Sequence, residues 1–213
     1  MTAGSLQLRR CLGWLLRPMR RLLIRHVPVG DPWEPVTSLL VTPQIFGPGS
    51  FRMFRWYFEG QSAVQVRTLH DVCRWLSECQ YLSDHELFNE TDFWQHPRTF
   101  ENLRKGDCED HALWAWRKLV ELGHQAELFV GQWCEGGGEE HDRHAWVVFE
   151  ESGERFVLEA VIKDETTMIR RLPDVCAQYA LHFSVDATFT MRSHAGYLLY
   201  LKERERRRSE QAA

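Results

Sequence analysis

The chain has 213 residues, 44% of them hydrophobic and 12% aromatic, which is enough for one buried core with extensions. Its formal net charge of −4 is unevenly distributed, because residues 1–30 carry six arginines and no acid and the remainder therefore carries −10. The acidic remainder argues against a nucleic-acid partner, and no apolar run reaches the ~20 residues of a transmembrane helix.

The first 50 residues are predicted to lie outside the main domain. Leucines alternate with arginines over residues 6–27, which predicts a basic amphipathic helix that contacts a membrane surface or a partner. A solvated or packed arm is the alternative. Prolines and glycines crowd residues 28–50, as in an extended connector. The predicted units are therefore an arm with its connector (1–50), a main domain (51–201) and a charged tail (202–213).

The cysteines and the arm also bear on the compartment. The six cysteines lack the spacing of a small disulfide-stapled domain, which favours reduced thiols. Arginines interrupt every apolar run of the arm, so we expect no standard signal peptide. The sequence thus predicts a cytoplasmic protein, peripheral to a membrane if the arm binds one.

The main domain is predicted to be α+β. Apolar residues at helical spacing predict a helix over Leu69–Cys79, and Ser83 or Asp84 is a suitable cap for a short helix ending near Asn89. Residues 97–103 are interpreted as a short turn. After a further helix the period changes from 3.6 to 2, which predicts antiparallel strands over 126–133, 144–150 and 155–160.

The further helix starts at a cysteine, Cys108, and ends at Gly123. Asp107 is a suitable N-cap, and Asp110 completes a box-like pair at the same terminus. The helix macrodipole favours negative charge there, so we expect the thiolate of Cys108 to be more accessible than in water. The alternative is that this cysteine is a small core residue.

The predicted strands bring a histidine and an acid together. With a two-residue turn at Glu151 and Ser152, His144 lies directly opposite Glu159, with Cβ atoms about 4.5–5.5 Å apart. The carboxylate would then orient the imidazole and stabilise its charged form. If Cys108 packs against the same sheet face, the three residues form a catalytic triad for thiol chemistry. A one-residue register change would break this pairing.

An oxyanion site is also expected near the thiol. The backbone N–H of Cys108 or of a neighbour would supply one donor. The side chains of Trp94 and Gln95 are candidates for another.

Several segments in this order resemble the bacterial transglutaminase-like cysteine peptidases, within the transglutaminase-like and papain-like superfamily. The segments that carry the resemblance are Asp92–Pro97, Gly106–Ala112, Leu119–Gly123, His144–Val147 and Val157–Glu159. Of these, the Gly-Asp-Cys-Glu-Asp string is the most specific. The resemblance implies a transglutaminase-like core in which the cysteine-bearing helix packs on an antiparallel sheet.

The resemblance also implies roles for the site residues. Cys108 would be the nucleophile, His144 the general base and acid, and Glu159 the orienting acid. Relatives that cleave adhesins in the periplasm bind calcium through acids beside the cysteine, which correspond here to Asp107, Glu109 and Asp110. Whether these acids bind calcium or only cap the helix stays open, and no other cofactor is expected.

Two features depart from the family. The third triad member is usually aspartate, where this chain has Glu159. The periplasmic relatives carry export signals, and none is expected here, which argues against an adhesin-cleaving role.

The predicted function is a cysteine hydrolase or peptidase that acts on an amide or ester carbonyl of a protein or peptide through a thioester. One alternative is a non-catalytic transglutaminase-like module that binds a peptide or partner. Another is transamidase or acyltransferase use of the same triad.

Overall fold

The computed structural model describes residues 31, 33, 35, 36, 54–134, 142–196, 202 and 206. The predicted arm over residues 6–27 lies outside the described residues, as does most of the connector, so both stay predictions. None of the described helices is long and apolar enough to cross a bilayer.

Five α-helices are described, and three of them begin at a side chain that caps the first turn. Their bounds are α1 Leu69–Ser77, α2 Asp84–Phe88, α3 Pro97–Leu103, α4 Cys108–Glu121 and α5 Leu172–Val175, with 3-10 helices at Phe54–Phe58 and Cys176–Gln178. Thr68 caps α1, and Ser83 rather than Asp84 caps α2. The helix α3 replaces the predicted short turn, because Pro97 fits the first position of a helix.

Nine strands are described in a large antiparallel sheet and a small parallel pair. Their bounds are β1 Pro35–Val36, β2 Gln80–Tyr81, β3 Lys105–Gly106, β4 Gln125–Trp133, β5 Asp142–Glu151, β6 Glu154–Leu158, β7 Ile169–Arg171, β8 Tyr179–Asp186 and β9 Met191–His194. The large sheet has the order β1-β9-β8-β4-β5-β6-β7, and β2 pairs with β3. Helices together with an antiparallel sheet confirm the predicted α+β class.

The large sheet buries apolar side chains on both faces. Along β5, Ala145 and Val147 belong to the cluster beneath α4, whereas Trp146 and Val148 belong to a second cluster on the opposite face. We call these the helix face and the far face. By the same alternation His144 points to the far face. The expectation that Cys108 packs against the face of His144 is therefore wrong, because α4 covers the helix face and Cys108 itself packs against the helix-face cluster.

The hairpin between β5 and β6 turns at Ser152 and Gly153, not at Glu151 and Ser152 as predicted. Both turn residues have positive φ angles, 54° and 79°. That is the geometry of a type I′ turn, which favours glycine at its second position. The register consequently differs by two residues from the prediction. A shift of two preserves the sheet face of every side chain, because strand side chains alternate with a period of two.

Candidate active site and acid cluster

The thiol of Cys108 lies at the start of α4, as predicted. The residue is half-buried, and its thiol donates to Glu109 Oε2 at 3.2 Å. The backbone of Ala145 lies close enough to the sulfur to lower the pKa of the thiol, as the smallest of the effects on it. The sulfur therefore lies beside the strand residue that directly follows His144. No hydrogen bond joins Cys108 to His144, both of which are described.

The surroundings of the thiol oppose its ionisation. Burial raises the pKa of Cys108 well above its usual range, and the negative charges of Glu109 and Asp107 raise it further. The helix terminus favours a thiolate, but these two effects outweigh it. The predicted position of the thiol agrees with the structure, and its predicted activation by the helix alone does not.

His144 and Glu159 are in direct contact on the far face. His144 Nε2 and Glu159 Oε2 are 2.6 Å apart, in a short hydrogen bond in which the ring donates to the carboxylate. Glu159 is completely buried and His144 is 7% exposed. This leaves Nδ1 as the ring nitrogen that Glu159 does not engage.

The contact is diagonal rather than directly opposite. The ladder ends at Val147 and Leu158, so the next step of the register faces Glu159 with Trp146. Diagonal neighbours lie about 7–8 Å apart, farther than directly opposed residues, which favours the longer side chain of glutamate. The position of Glu159 after the end of β6 thus suits a side chain one methylene longer than that of aspartate.

Aromatic rings hold the imidazole from two sides. The ring of His144 stacks on Trp133 with centroids 5.0 Å apart and lies 6.1 Å from the ring of Trp146. These walls restrict rotation of the imidazole. The same face holds Tyr179, whose hydroxyl donates to Glu159 Oε1 at 3.1 Å. Sequence reasoning missed Tyr179, since no motif marks it.

The acids beside the cysteine belong to a larger cluster. Ligand oxygens of Asp84, Asp92 and Glu109 lie within 4.8 Å of one another, and so do those of Asp84, Asp107 and Asp110. The sequence analysis did not predict that Asp84 and Asp92 belong to this cluster. One feature of the sequence could have indicated Asp84. Ser83 is the better helix cap, so a carboxylate directly after it is not required for capping.

Neither predicted cap at the start of α4 is made by a side chain. Asp107 occupies the N-cap position without a side-chain capping hydrogen bond. Asp110 accepts from the backbone N–H of Gln95 at 2.7 Å and from the Gln95 side-chain amide. A Cβ atom at Gly106 would collide with Asp110 and Gln95, so this glycine permits the close approach of the two side chains. The capping prediction for Asp107 and Asp110 is wrong, because their carboxylates face the cluster.

The acid cluster fits a hard divalent cation. Burial raises the pKa of Glu109 and Asp110 well above the usual range, and it raises the pKa of Asp84 to about 6. Asp84 Oδ1 and Asp107 Oδ1 are buried without a hydrogen-bond partner. Buried carboxylate oxygens that lack donors are suited to a cation. An all-oxygen donor set matches calcium or magnesium rather than a transition metal.

The side chains predicted as oxyanion donors have other partners. Gln95 Nε2 donates to the carbonyl of Lys105 at 2.9 Å and to Asp110, and Trp94 Nε1 donates to Asp92 Oδ1 at 2.9 Å. Their role at an oxyanion stays a prediction. The backbone N–H groups at the start of α4 are the donors that a helix leaves without an internal partner.

Comparison with known proteins finds a likeness to one peptidase-like domain and weaker likenesses to solved structures. Residues 92–192, slightly less than half of the chain, match the family model of the CEP76 peptidase-like domain. No curated protein sequence matches significantly. LapG of Legionella pneumophila has a similar structure at 20% identity and a TM-score of 0.43, over 56% of this chain and 64% of LapG. Its calcium-bound form gives 18% identity and a TM-score of 0.47, over 66% of this chain and 75% of that one.

The two structural likenesses are weak. The chain spans less than two thirds of the length of the first of these LapG structures. The match over residues 92–192 includes Cys108, His144 and Glu159 and most of the acid cluster. The described site therefore lies within a segment that is similar to a peptidase-like domain.

Proposed function

We propose that the protein is a transglutaminase-like cysteine hydrolase that cleaves an amide or ester bond of a peptide or protein. The observation that supports it most directly is the buried contact between His144 and Glu159, made by the neighbour of Ala145, whose backbone lies close to the Cys108 thiol. A fully buried carboxylate bonded to an imidazole is the arrangement that orients a general base.

The reaction would begin with transfer of the thiol proton to His144 Nδ1. The thiolate of Cys108 attacks the carbonyl carbon, and backbone N–H groups at the start of α4 stabilise the oxyanion. The carbon–nitrogen or carbon–oxygen bond breaks, and the imidazolium gives its proton to the leaving group. Water, deprotonated by His144, then hydrolyses the thioester and restores the thiol. An amine in place of water would give a transamidated product.

Calcium is the cofactor that the acid cluster would hold, through Asp84, Asp92, Asp107, Glu109 and Asp110. When bound, the cation neutralises carboxylates whose charge disfavours the thiolate of Cys108. The chain's own residues then complete the activation, since the imidazolium of His144 would stabilise the thiolate.

A non-catalytic module that binds a peptide is the second candidate. The observation that favours it is the thiol hydrogen bond, which goes to Glu109 and not to His144. A protein that only binds would need neither a reactive thiol nor a general base.

Alkylation by iodoacetamide separates the two candidates. We expect Cys108 to react about ten-fold faster than the half-buried Cys176 at neutral pH in 1 mM calcium chloride, and His144→Ala to abolish the difference. Cys73 and Cys79 serve as slow internal standards, because burial raises the pKa of these thiols to about 11 and about 12. Equal rates at Cys108 and Cys176, with and without calcium, would contradict the enzyme.

A chromogenic ester tests the thioester directly. With p-nitrophenyl acetate, the enzyme should release a burst of nitrophenolate and gain one acetyl group on Cys108, detected by mass spectrometry. Methylamine would then accelerate turnover if the thioester accepts amines. Cys108→Ala is the matched control and should show neither the burst nor the acetyl group.

A further inference from the structure

A tyrosine and an arginine continue the hydrogen-bonded chain behind Glu159. The hydroxyl of Tyr179 donates to Glu159 Oε1 at 3.1 Å, and Arg170 Nη2 donates to that hydroxyl at 3.2 Å. Glu159 Oε2 is bonded to His144 at 2.6 Å. The described contacts thus run in one line from the guanidinium to the imidazole.

An irregularity in the sheet places Tyr179 on the correct face. The register between β4 and β8 shifts at Val130 and Gly131, which leaves His182 as an extra residue in β8. Residues before the bulge therefore point to the opposite face from those with the same parity after it. Phe183 lies in the helix-face cluster, whereas Tyr179 lies in the far-face cluster with Trp146.

The hydroxyl compensates for the burial of the carboxylate. Glu159 is completely buried, and a buried carboxylate is costly unless each oxygen has a donor. Burial and the charge of Glu159 raise the pKa of Tyr179, so its hydroxyl keeps its proton and remains a donor. The Tyr179 hydroxyl donates its proton to Glu159, so its oxygen is free to accept from Arg170. The positive charge of Arg170 is thus separated from the carboxylate by one hydroxyl group.

The next residue in β7 has a different setting. Arg171 is exposed and pairs with Glu154 on the surface at 3.1 Å. Alternate residues of a strand point to opposite faces, so the two arginines differ in surroundings while sharing one strand. Arg171 is therefore a matched control for Arg170.

We infer that Tyr179 and Arg170 are positioning residues, which fix the Glu159 carboxylate and through it the ring of His144. The relevance of this role to catalysis rests on the proposed function. The positioning itself can be measured without catalysis, through the hydrogen bond between His144 and Glu159. Tyr179 supplies the donor, and Arg170 orients that donor and adds positive charge.

Two measurements on the full chain test the inference. Proton NMR should show a downfield resonance for the His144 ring proton that is bonded to Glu159, absent in His144→Ala. Tyr179→Phe should shift or broaden this resonance, Arg170→Gln should shift it less, and Arg171→Gln should leave it unchanged. Arg170→Lys, which keeps a donor and the charge, should restore it in part.

Alkylation of Cys108 provides the second measurement. Tyr179→Phe should slow it about ten-fold and Arg170→Gln about three-fold, measured at a temperature at which the circular dichroism spectra show both variants folded, because Tyr179→Phe also lowers the melting temperature by removing the donor to Glu159 Oε1. In Tyr179→Phe combined with Glu159→Gln the two losses should not multiply, because both act through one carboxylate.

The outcomes distinguish this inference from the proposed function. An unchanged His144 resonance in Tyr179→Phe, or losses that multiply in the double variant, would overturn the positioning role. If Cys108 of His144→Ala is alkylated at the wild-type rate, the proposed function is overturned. A shifted His144 resonance in Tyr179→Phe would still support the positioning role.

Discussion

At the scale of single residues, the length of one side chain decides whether the candidate triad can form. Glu159 follows the last residue of β6, one step beyond the ladder, and reaches His144 along a diagonal. An aspartate there would be one methylene shorter. Its carboxylate would not reach Nε2 of a ring that is held between Trp133 and Trp146.

We therefore expect Glu159→Asp to behave almost like Glu159→Gln. Loss of a charge-assisted hydrogen bond costs about 1.5–3 kcal/mol, which corresponds to a slowing of about 10- to 100-fold. The alkylation rate of Cys108 measures the loss. Glu154→Asp, which shortens an exposed glutamate paired with Arg171, is the control and should alkylate at the wild-type rate. Full reactivity of Glu159→Asp would show that the diagonal contact does not orient the imidazole.

At the scale of elements, turn chemistry determines how much of the site could be predicted. The period of two along β5 and β6 predicts both strands and the shared face of His144 and Glu159. The register requires the turn type, and Gly153 with its positive φ marks the turn better than Glu151 does. The predicted contact is present although the predicted register is wrong, because an error of two residues keeps every side chain on its face.

Other features of the site could not be predicted from local patterns. The bulge in β8 reverses the face of Tyr179, and no local pattern marks an extra residue within a run of alternating side chains. The acid cluster gathers Asp84 and Asp92 from segments before α4, so sequence spacing alone cannot place them together. The helix α4 was predictable from its period, whereas the sheet face it covers depends on tertiary packing.

The extra residue of the bulge makes the fold sensitive to acid. Burial lowers the pKa of His182 to about 4, and the positive charge of Arg143 lowers it further. The unfolded chain titrates near 6.5. The folded state therefore favours the neutral ring, so its contribution to stability is complete above pH 6.5 and is lost as the pH falls toward 4.

We expect His182→Gln to reduce this loss of stability. Between pH 7 and pH 4.5 the free energy of unfolding should fall by about 1–3 kcal/mol less in the variant than in the wild type. Urea titrations at the two pH values measure the difference. His70→Gln, which changes a histidine with a 71% exposed side chain, should fall as much as the wild type. An identical fall in His182→Gln would contradict the assignment.

At the scale of the whole molecule, the acid cluster links segments that are separate in sequence. Asp84 belongs to α2, Asp92 to the segment before α3, and Asp107, Glu109 and Asp110 to the start of α4. Like charges in a buried cluster destabilise the fold, and a cation that binds them would hold these segments together. The same ion would lie beside Cys108, so stability and reactivity would respond together.

Calcium should accordingly raise the melting temperature by several degrees relative to EGTA. Binding at 100 times the dissociation constant stabilises a protein by about 2.7 kcal/mol, and about 1 kcal/mol shifts a domain of this size by about 2–4 °C. Asp84→Asn should lose most of the calcium response. In EGTA it should be at least as stable as the wild type, because one repelling charge is gone.

The lost calcium response and the unreduced stability in EGTA together distinguish a metal site from a surface effect of calcium. Asp174→Asn removes an exposed acid from the first turn of α5 and should keep the full calcium response. An equal response in Asp84→Asn would place the ion elsewhere, whereas a lower stability of Asp84→Asn in EGTA would mean that this carboxylate stabilises the fold without a metal. The described geometry favours a lost response with no loss of stability, since Asp84 Oδ1 is buried without a donor and the bond that Oδ2 accepts from the backbone N–H of Phe93 can also be accepted by the amide oxygen of asparagine.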